Sequence, residues 1–244
     1  MSAFLVVTMS LFNYIMRYLP MSENYEVVKT DFNEIAELRE PKWNHNNCYF
    51  PYLLRNLPRK IDACLDIGCG KGELSKLLSQ KAGRVIAVDL SDRMIARARE
   101  LNSAPNIIYI CGNILEMNFE DDSLDLIITT ATAHHLPYEW LLEFSKDKLI
   151  KGGRLLVLDL ARPSTLPDYL IWGLAVPINP LISLIKNGTF YKDDSHARAV
   201  WEKHGEHDTY MRLNEIRKLV KKQLPSAKIK RKLLWRYLLI WTKT

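Results

Sequence analysis

Leu65-Asp66-Ile67-Gly68-Cys69-Gly70-Lys71-Gly72 joins a short apolar run to a helical one, and its reading decides the fold. The run over 61–67 has the length and character of a strand buried on both faces, and it stops at a glycine. Glycine serves where φ is positive or where a ligand must touch the backbone. Glycines at the alternate positions 68, 70 and 72 therefore predict a tight strand-to-helix turn with an open backbone surface. A loop at the carboxyl end of a strand is where open α/β sheets bind ligands. Two acids support a ligand here. Asp66 stands two residues before the first glycine, and Asp89 closes the next apolar run, where a carboxylate can accept both hydroxyls of a ribose. The dinucleotide pattern G-x-G-x-x-G fails because position 73 is glutamate, and an acid at a helix start repels a pyrophosphate. The loop reads as a seat for a nucleoside without phosphates. The plain alternative, a turn with a capping acid, explains fewer of these residues.

Working outward, Arg84-Val85-Ile86-Ala87-Val88-Asp89 is a second strand, and Ser91 caps a helix running to position 101. Strands follow over 106–110 and 124–130, then a helix over 138–149, then a turn at Gly152-Gly153 into a strand over 154–159. Strands alternating with helices of this length mean βαβ units and a parallel sheet. The alternation stops after Asp159. Pro163, Pro167, Pro177 and Pro180, with aromatics and histidines, mark 163–210 as an insertion over the strand ends rather than a separate domain. A helix over 213–223 and two strand-like runs, 228–234 and 237–242, close the chain. The expected organisation is an α/β single domain over 22–244, with a helical lid at 22–58 and a substrate lid at 163–210.

Composition sets bounds on partners. The 34 Lys and Arg against 28 Asp and Glu leave a net charge of +6, which does not by itself demand nucleic acid. Cys48, Cys64, Cys69 and Cys111 form no CxxC pair, so reduced thiols in a cytoplasmic protein are expected. Residues 3–19 are apolar but broken by Ser10, Asn13 and Arg17, and they lack the leading cations of a signal peptide. They read as an extension of low order in preference to a peripheral membrane helix, and no transmembrane segment is expected.

The stretch 65–75 resembles motif I of class I S-adenosylmethionine-dependent methyltransferases, and the similarity runs from about 61 to 158, most like the broad small-molecule branch. The resemblance implies a Rossmann-like sheet of seven strands, mostly parallel with the last antiparallel, and helices on both faces. It implies S-adenosylmethionine as cofactor and S-adenosylhomocysteine as product. Position by position, it places Gly68, Cys69, Gly70 and Gly72 in the loop under the methionine part, with Asp66 holding the loop and approaching the amino end. Asp89 would bind the ribose and Leu90 would pack on adenine. Asn113 and Ile114 match the motif after the third strand. The family usually carries an acid at the first of these positions, and asparagine still offers a carbonyl oxygen there. Thr130 would lie beside the reacting methyl.

The methyl on a sulfonium is already activated, so alignment and water exclusion matter most, and a base only for a protonated acceptor. His134 and His135 follow the fourth strand and are the candidate catalytic residues, as general base or substrate ligand. His204, His207 and Asp208 have spacing for one helical face, but without cysteine ligands a polar surface face is favoured over a metal site, and none is expected. Tyr25, Trp43, His45 and Tyr49 belong to a segment that often lids the cofactor in this family. Trp172, Phe190, Tyr191, Trp201 and Tyr210 would make an apolar lid over the acceptor. The stretch 129–132, Thr-Thr-Ala-Thr, lacks the motif of base-amino methyltransferases. The basic residues between Arg217 and Arg236 read as a solvated face and a protected edge strand. The favoured function is methyl transfer to a small molecule, with nucleic acid disfavoured. One alternative is an RNA or protein methyltransferase using the basic C-terminus. The other is a binding protein of this fold without methyl transfer.

Overall fold

A computed structural model describes residues 22–39, 41–187 and 195–244. The expected N-terminal extension, Phe190 and Tyr191 lie outside the described residues. Helix α1 (Ser22–Ala36) leads to a short 3-10 turn and α2 (Phe50–Arg55). The alternating unit follows as β1 (Ala63–Ile67), α3 (Glu73–Ser79), β2 (Arg84–Asp89), α4 (Asp92–Leu101) and β3 (Ile107–Cys111). Then come β4 (Leu124–Thr130), α5 (Tyr138–Lys148) and β5 (Leu149–Leu160). The chain ends with α6 (Leu166–Asn187), α7 (Ser195–His207), α8 (Leu213–Gln223), β6 (Lys228–Arg231) and β7 (Arg236–Thr242).

The seven strands pair in the order β3-β2-β1-β4-β5-β7-β6. Strands β1 to β5 pair in parallel, and β7 runs antiparallel to both β5 and β6. Every residue of β1 is buried, Asp66 included, as befits a mostly apolar central strand covered on both faces. One core packs β1, β4 and β5 against α5 and α8, with Leu141, Leu142 and Ile216 buried. The other packs the opposite face against α2, α3 and α4, with Leu53, Leu78 and Ile95 buried. Strand order reverses between β1 and β4, so the crevice at their carboxyl ends is the place this topology leaves for a ligand.

Two boundaries differ most from the sequence expectation. Strand β5 starts at Leu149 rather than 154, because a register shift lets Leu149 pair Leu124 before Arg154 pairs Leu126. The expected Gly152-Gly153 turn is thus a kink inside one strand, with Gly152 at φ +83°. Strand β6 stops at Arg231, because Leu234 and Trp235 take left-handed conformations, at φ +56° and +63°, to turn the hairpin. The described residues of the insertion form two helices. Helix α7 packs along α1, whereas Leu166, Leu170, Leu174, Leu181 and Ile185 of α6 are each more than half exposed. Among the described residues no single helix is long and apolar enough to cross a membrane; the two halves of α6, bent by 42°, reach that composition only together.

Candidate active site

The glycine loop is held by the neighbouring strand. The Gly68 and Cys69 N–H groups both donate to the Val88 carbonyl, at 2.8 and 3.0 Å. Asp89 accepts from the Gly70 N–H at 2.8 Å on one oxygen and from the Ser91 N–H at 2.9 Å on the other. A carboxylate oxygen has two acceptor sites, so each keeps one free of these bonds. Gly68, Gly70 and Gly72 all have positive φ, but for different surroundings. A Cβ at Gly68 would meet Thr132 Oγ1 at 2.1 Å and one at Gly72 would meet the Tyr109 hydroxyl at 2.4 Å, whereas one at Gly70 would meet nothing within 4 Å. The outer two glycines serve packing and the middle one leaves open backbone.

Asp66 lies behind the loop. One of its oxygens accepts from the Ser75 hydroxyl at 2.6 Å, and the other is buried without a hydrogen-bond partner. Burial pushes its pKa to about 7, against the Ser75 hydrogen bond and with help from Asp89. Burial also raises the Asp89 carboxyl, opposed by the N–H groups of Ser91, Gly70 and Leu90.

Leu90 is half-buried and Ile114 buried beside the same strand ends. Asn113 caps the short turn after β3. Its carbonyl oxygen accepts from the Leu115 N–H at 3.1 Å and its amide donates to Glu116 at 3.1 Å. Tyr25 of α1 reaches this region, since Glu116 contributes to raising its hydroxyl pKa behind the larger effect of burial. Trp43, His45 and Tyr49 are drawn elsewhere. His45 Nε2 bonds Asn179 at 2.7 Å, the Trp43 N–H donates to Asn187, and the Tyr49 hydroxyl donates to the Leu233 carbonyl. These three brace α6 and the β6–β7 hairpin.

Thr130 ends β4 half-buried, and its carbonyl accepts from the Thr132 hydroxyl at 3.1 Å. Ala131 takes φ +51°, an unusual conformation for a residue with a Cβ, and throws the next turn toward the crevice. His134 and His135 lie on that turn, with ring centroids 4.0 Å apart. His134 Nδ1 sits 2.7 Å from Asp159 at the end of β5. Burial opposes a charge on His134, but the Asp159 carboxylate outweighs it and holds the imidazole above its ordinary value. His135 is driven down to about 3, first by burial and then by His134.

His204 departs from the sequence expectation of a surface face. It is buried, with Nε2 at 3.5 Å from Asp208 and Nδ1 at 3.4 Å from Asp31. The reason is that α7 turns this face onto α1, where the Phe32 ring packs edge-on against both His204 and His135. Tyr210 lies over His134, with centroids 4.9 Å apart, while Trp201 is nearly half exposed.

Residues 65–157 match the Methyltransferase domain family. An uncharacterized methyltransferase of Mycobacterium tuberculosis (strain ATCC 25618 / H37Rv) is 26% identical over 206 residues, covering 82% of this chain and 96% of the relative. The chain is a class I S-adenosylmethionine-dependent methyltransferase. The fold of this methyltransferase is shared with N-methyltransferase NodS of Bradyrhizobium japonicum WM9, solved with S-adenosyl-L-homocysteine, at TM-score 0.56 and 14% identity over 90% of this chain and 97% of that one. It is shared too with geranyl diphosphate C-methyltransferase of Streptomyces coelicolor A3(2), at TM-score 0.58 and 12% identity over 81% and 76%. The cofactor of the methyltransferase is S-adenosylmethionine.

Sequence reasoning passed over Asp159, Asp31 and Phe32 of the methyltransferase as site neighbours. Asp159 did carry a signal: it is an acid inside the run Leu155-Leu156-Val157-Leu158-Asp159-Leu160, where an ionisable group needs a partner. Asp31 and Phe32 carried none, because only the packing of α1 on α7 brings them there.

A pH test follows from Asp66. Its folded pKa, about 7, lies above an unfolded carboxyl, so its ionisation costs stability increasingly as pH rises toward 7. Asp66→Asn removes that cost and keeps a partner for Ser75. Thermal melts without cofactor should show the variant gaining on the wild type at pH 8 relative to pH 5. An equal difference at both pH values would contradict the buried, proton-holding carboxyl.

Proposed function

We propose that this methyltransferase acts on a small-molecule acceptor. The observation that carries the reading is a cavity of about 380 Å³ at the ends of β4 and β5, lined by His134, Tyr138, Asp159, Tyr210, Ile216 and Tyr237 among others. That volume is in the range of small-ligand sites, and its mixture of apolar walls with a few polar groups is typical of them. The basic C-terminal cluster gives less support to a polynucleotide track. Arg236 is buried, Arg231 pairs with Asp168, and Lys232 sits over the Tyr52 ring.

The residues present fit the cofactor. The unpartnered Asp66 oxygen suits the cationic amino end, directly or through water. The open backbone at Gly70, between Cys69 and the packed Gly68 and Gly72, suits close approach of the methionine part. The remaining acceptor sites of Asp89 suit the ribose diol. Leu90 and Ile114 supply apolar walls for adenine, and Asn113 a second lone pair on its carbonyl oxygen. When bound, S-adenosylmethionine supplies an electrophilic methyl group on a sulfonium. Thr130, at the end of β4, takes the place beside the reacting methyl. There His134, on the turn after β4, borders the acceptor, whose nucleophilic atom must lie in line with the methyl at about 3 Å. The described parts of the lids at 22–58 and 163–210 belong to the same domain and keep water from the reacting atoms. The free cysteines are consistent with action in the cytoplasm.

The test is the size of the labelled product. Incubating the protein with methyl-labelled S-adenosylmethionine and a cell extract, followed by ultrafiltration, should put the label in the low-mass filtrate. Label retained with RNA or protein would overturn the reading. Bound cofactor with no labelled product would favour a protein without methyl transfer.

A further inference from the structure

The turn after β4 and the segment after α7 bring His134, His135 and Asp208 together, with one ligand atom from each within 4.8 Å of the others. His134 Nε2, His135 Nε2 and Asp208 Oδ1 are all buried, and none has a hydrogen-bond partner. A buried unsatisfied polar atom costs about 1–3 kcal/mol, so three converging on one point call for a shared partner. The groups behind them decide what that partner is. Asp159 holds His134 Nδ1 at 2.7 Å, which fixes the lone pair on Nε2 and aims it inward. The Tyr210 hydroxyl donates to Asp208 Oδ2, leaving Oδ1 to face the imidazoles. His204, itself against Asp31, stands 3.5 Å behind that same Oδ1, and the edge of Phe32 fixes the plane of His135.

Histidine ligands braced by carboxylates through the other ring nitrogen are the usual outer shell of a metal centre. Two imidazoles and one carboxylate suit a divalent first-row transition metal and leave coordination positions open, whereas magnesium and calcium take oxygen donors. We propose that His134, His135 and Asp208 bind one such ion, of the zinc, iron or manganese kind. His134 and Tyr210 line the cavity of about 380 Å³, so the ion would border it. The ion therefore anchors an oxygen donor of the acceptor and sets its distance from the cofactor seat. Thr132 joins the two sites, since its hydroxyl lies 3.5 Å from the Gly68 carbonyl one residue before the turn that carries both histidines. The acceptor's role at the metal rests on the small-molecule reading above; the metal site itself does not.

The test uses the full chain, freed of any affinity tag, dialysed against chelator and titrated with Co²⁺. Calorimetry should give one Co²⁺ per chain, the visible spectrum should show nitrogen and oxygen ligation, and Zn²⁺ should displace it. His135→Ala and Asp208→Ala should bind Co²⁺ at least about 100-fold more weakly, and Asp159→Asn about 10–100-fold more weakly. S-adenosylmethionine affinity should stay within about twofold in all three, which separates a metal role from general damage. Wild-type protein that takes up no stoichiometric Co²⁺ would overturn the proposal without recourse to any variant, as would undiminished binding in folded His135→Ala. The two readings fail separately. Bound Co²⁺ with label in macromolecules sinks only the small-molecule acceptor, and label in the filtrate from protein that binds no metal sinks only the metal.

Discussion

Asp89→Ala is expected to weaken S-adenosylmethionine binding by about 100-fold or more, with the loss read by calorimetry on the purified chain. A hydrogen bond to a charged group contributes about 1.5–3 kcal/mol, and about 1.4 kcal/mol is tenfold in affinity. Two bonds to a ribose diol would vanish together. The substitution also frees the Gly70 and Ser91 N–H groups that Asp89 now holds at 2.8 and 2.9 Å, so the loop loses its tether to β2. Conformational loosening alone would lower stability and affinity in parallel. A ribose contact lowers affinity even where the melting temperature barely moves. Full-strength binding by Asp89→Ala would remove the ribose assignment, and with it the orientation assumed for the cofactor.

The second large effect is on folding. Gly68→Ala should lower the melting temperature by about 5–15 °C, from about 2–5 kcal/mol of lost stability. Two costs add. Position 68 sits at φ +71°, where a Cβ is unfavourable, and the new methyl would lie 2.1 Å from Thr132 Oγ1 and 2.6 Å from its Cβ. Thr132→Gly in the same chain removes the overlap but not the backbone cost. The double variant should therefore recover part of the loss relative to the sum of the single changes, as neighbours do. Strict additivity of the two substitutions would mean that the loop and the histidine turn are not in contact. Gly70→Ala, with open space at its Cβ and φ +53°, should show the backbone cost alone.

The fold was legible because its signals are local. A short, mostly apolar run that stops at a glycine reads as a strand covered on both faces, and β1 is buried at every position, Asp66 included. Ser91 was readable as a cap, and its hydroxyl does accept from the Met94 N–H. The helix expected over 213–223 has the bounds that α8 takes, Leu213–Gln223. The glycine turn could be read because a positive φ leaves few residue choices, and Gly68, Gly70 and Gly72 all adopt one. The end of the sheet was less legible. Nothing local marks Leu234 and Trp235 as left-handed, since they turn only because β7 must return along β5.

The acceptor end divides the same way. The doubly wound sheet, the glycine turn after β1 and the two histidines after β4 could be read from the sequence, because each depends on residues close in the chain or on neighbouring strands. Only the tertiary structure decided what those histidines face. Asp159 comes from β5, Asp208 from beyond α7, and Asp31 and Phe32 from α1, so segments more than a hundred residues apart meet around one point. Chain spacing carries no trace of such a meeting. It arises because α7 buries one face against α1, and a face that looks polar in sequence is then forced inward, where its charges must find partners.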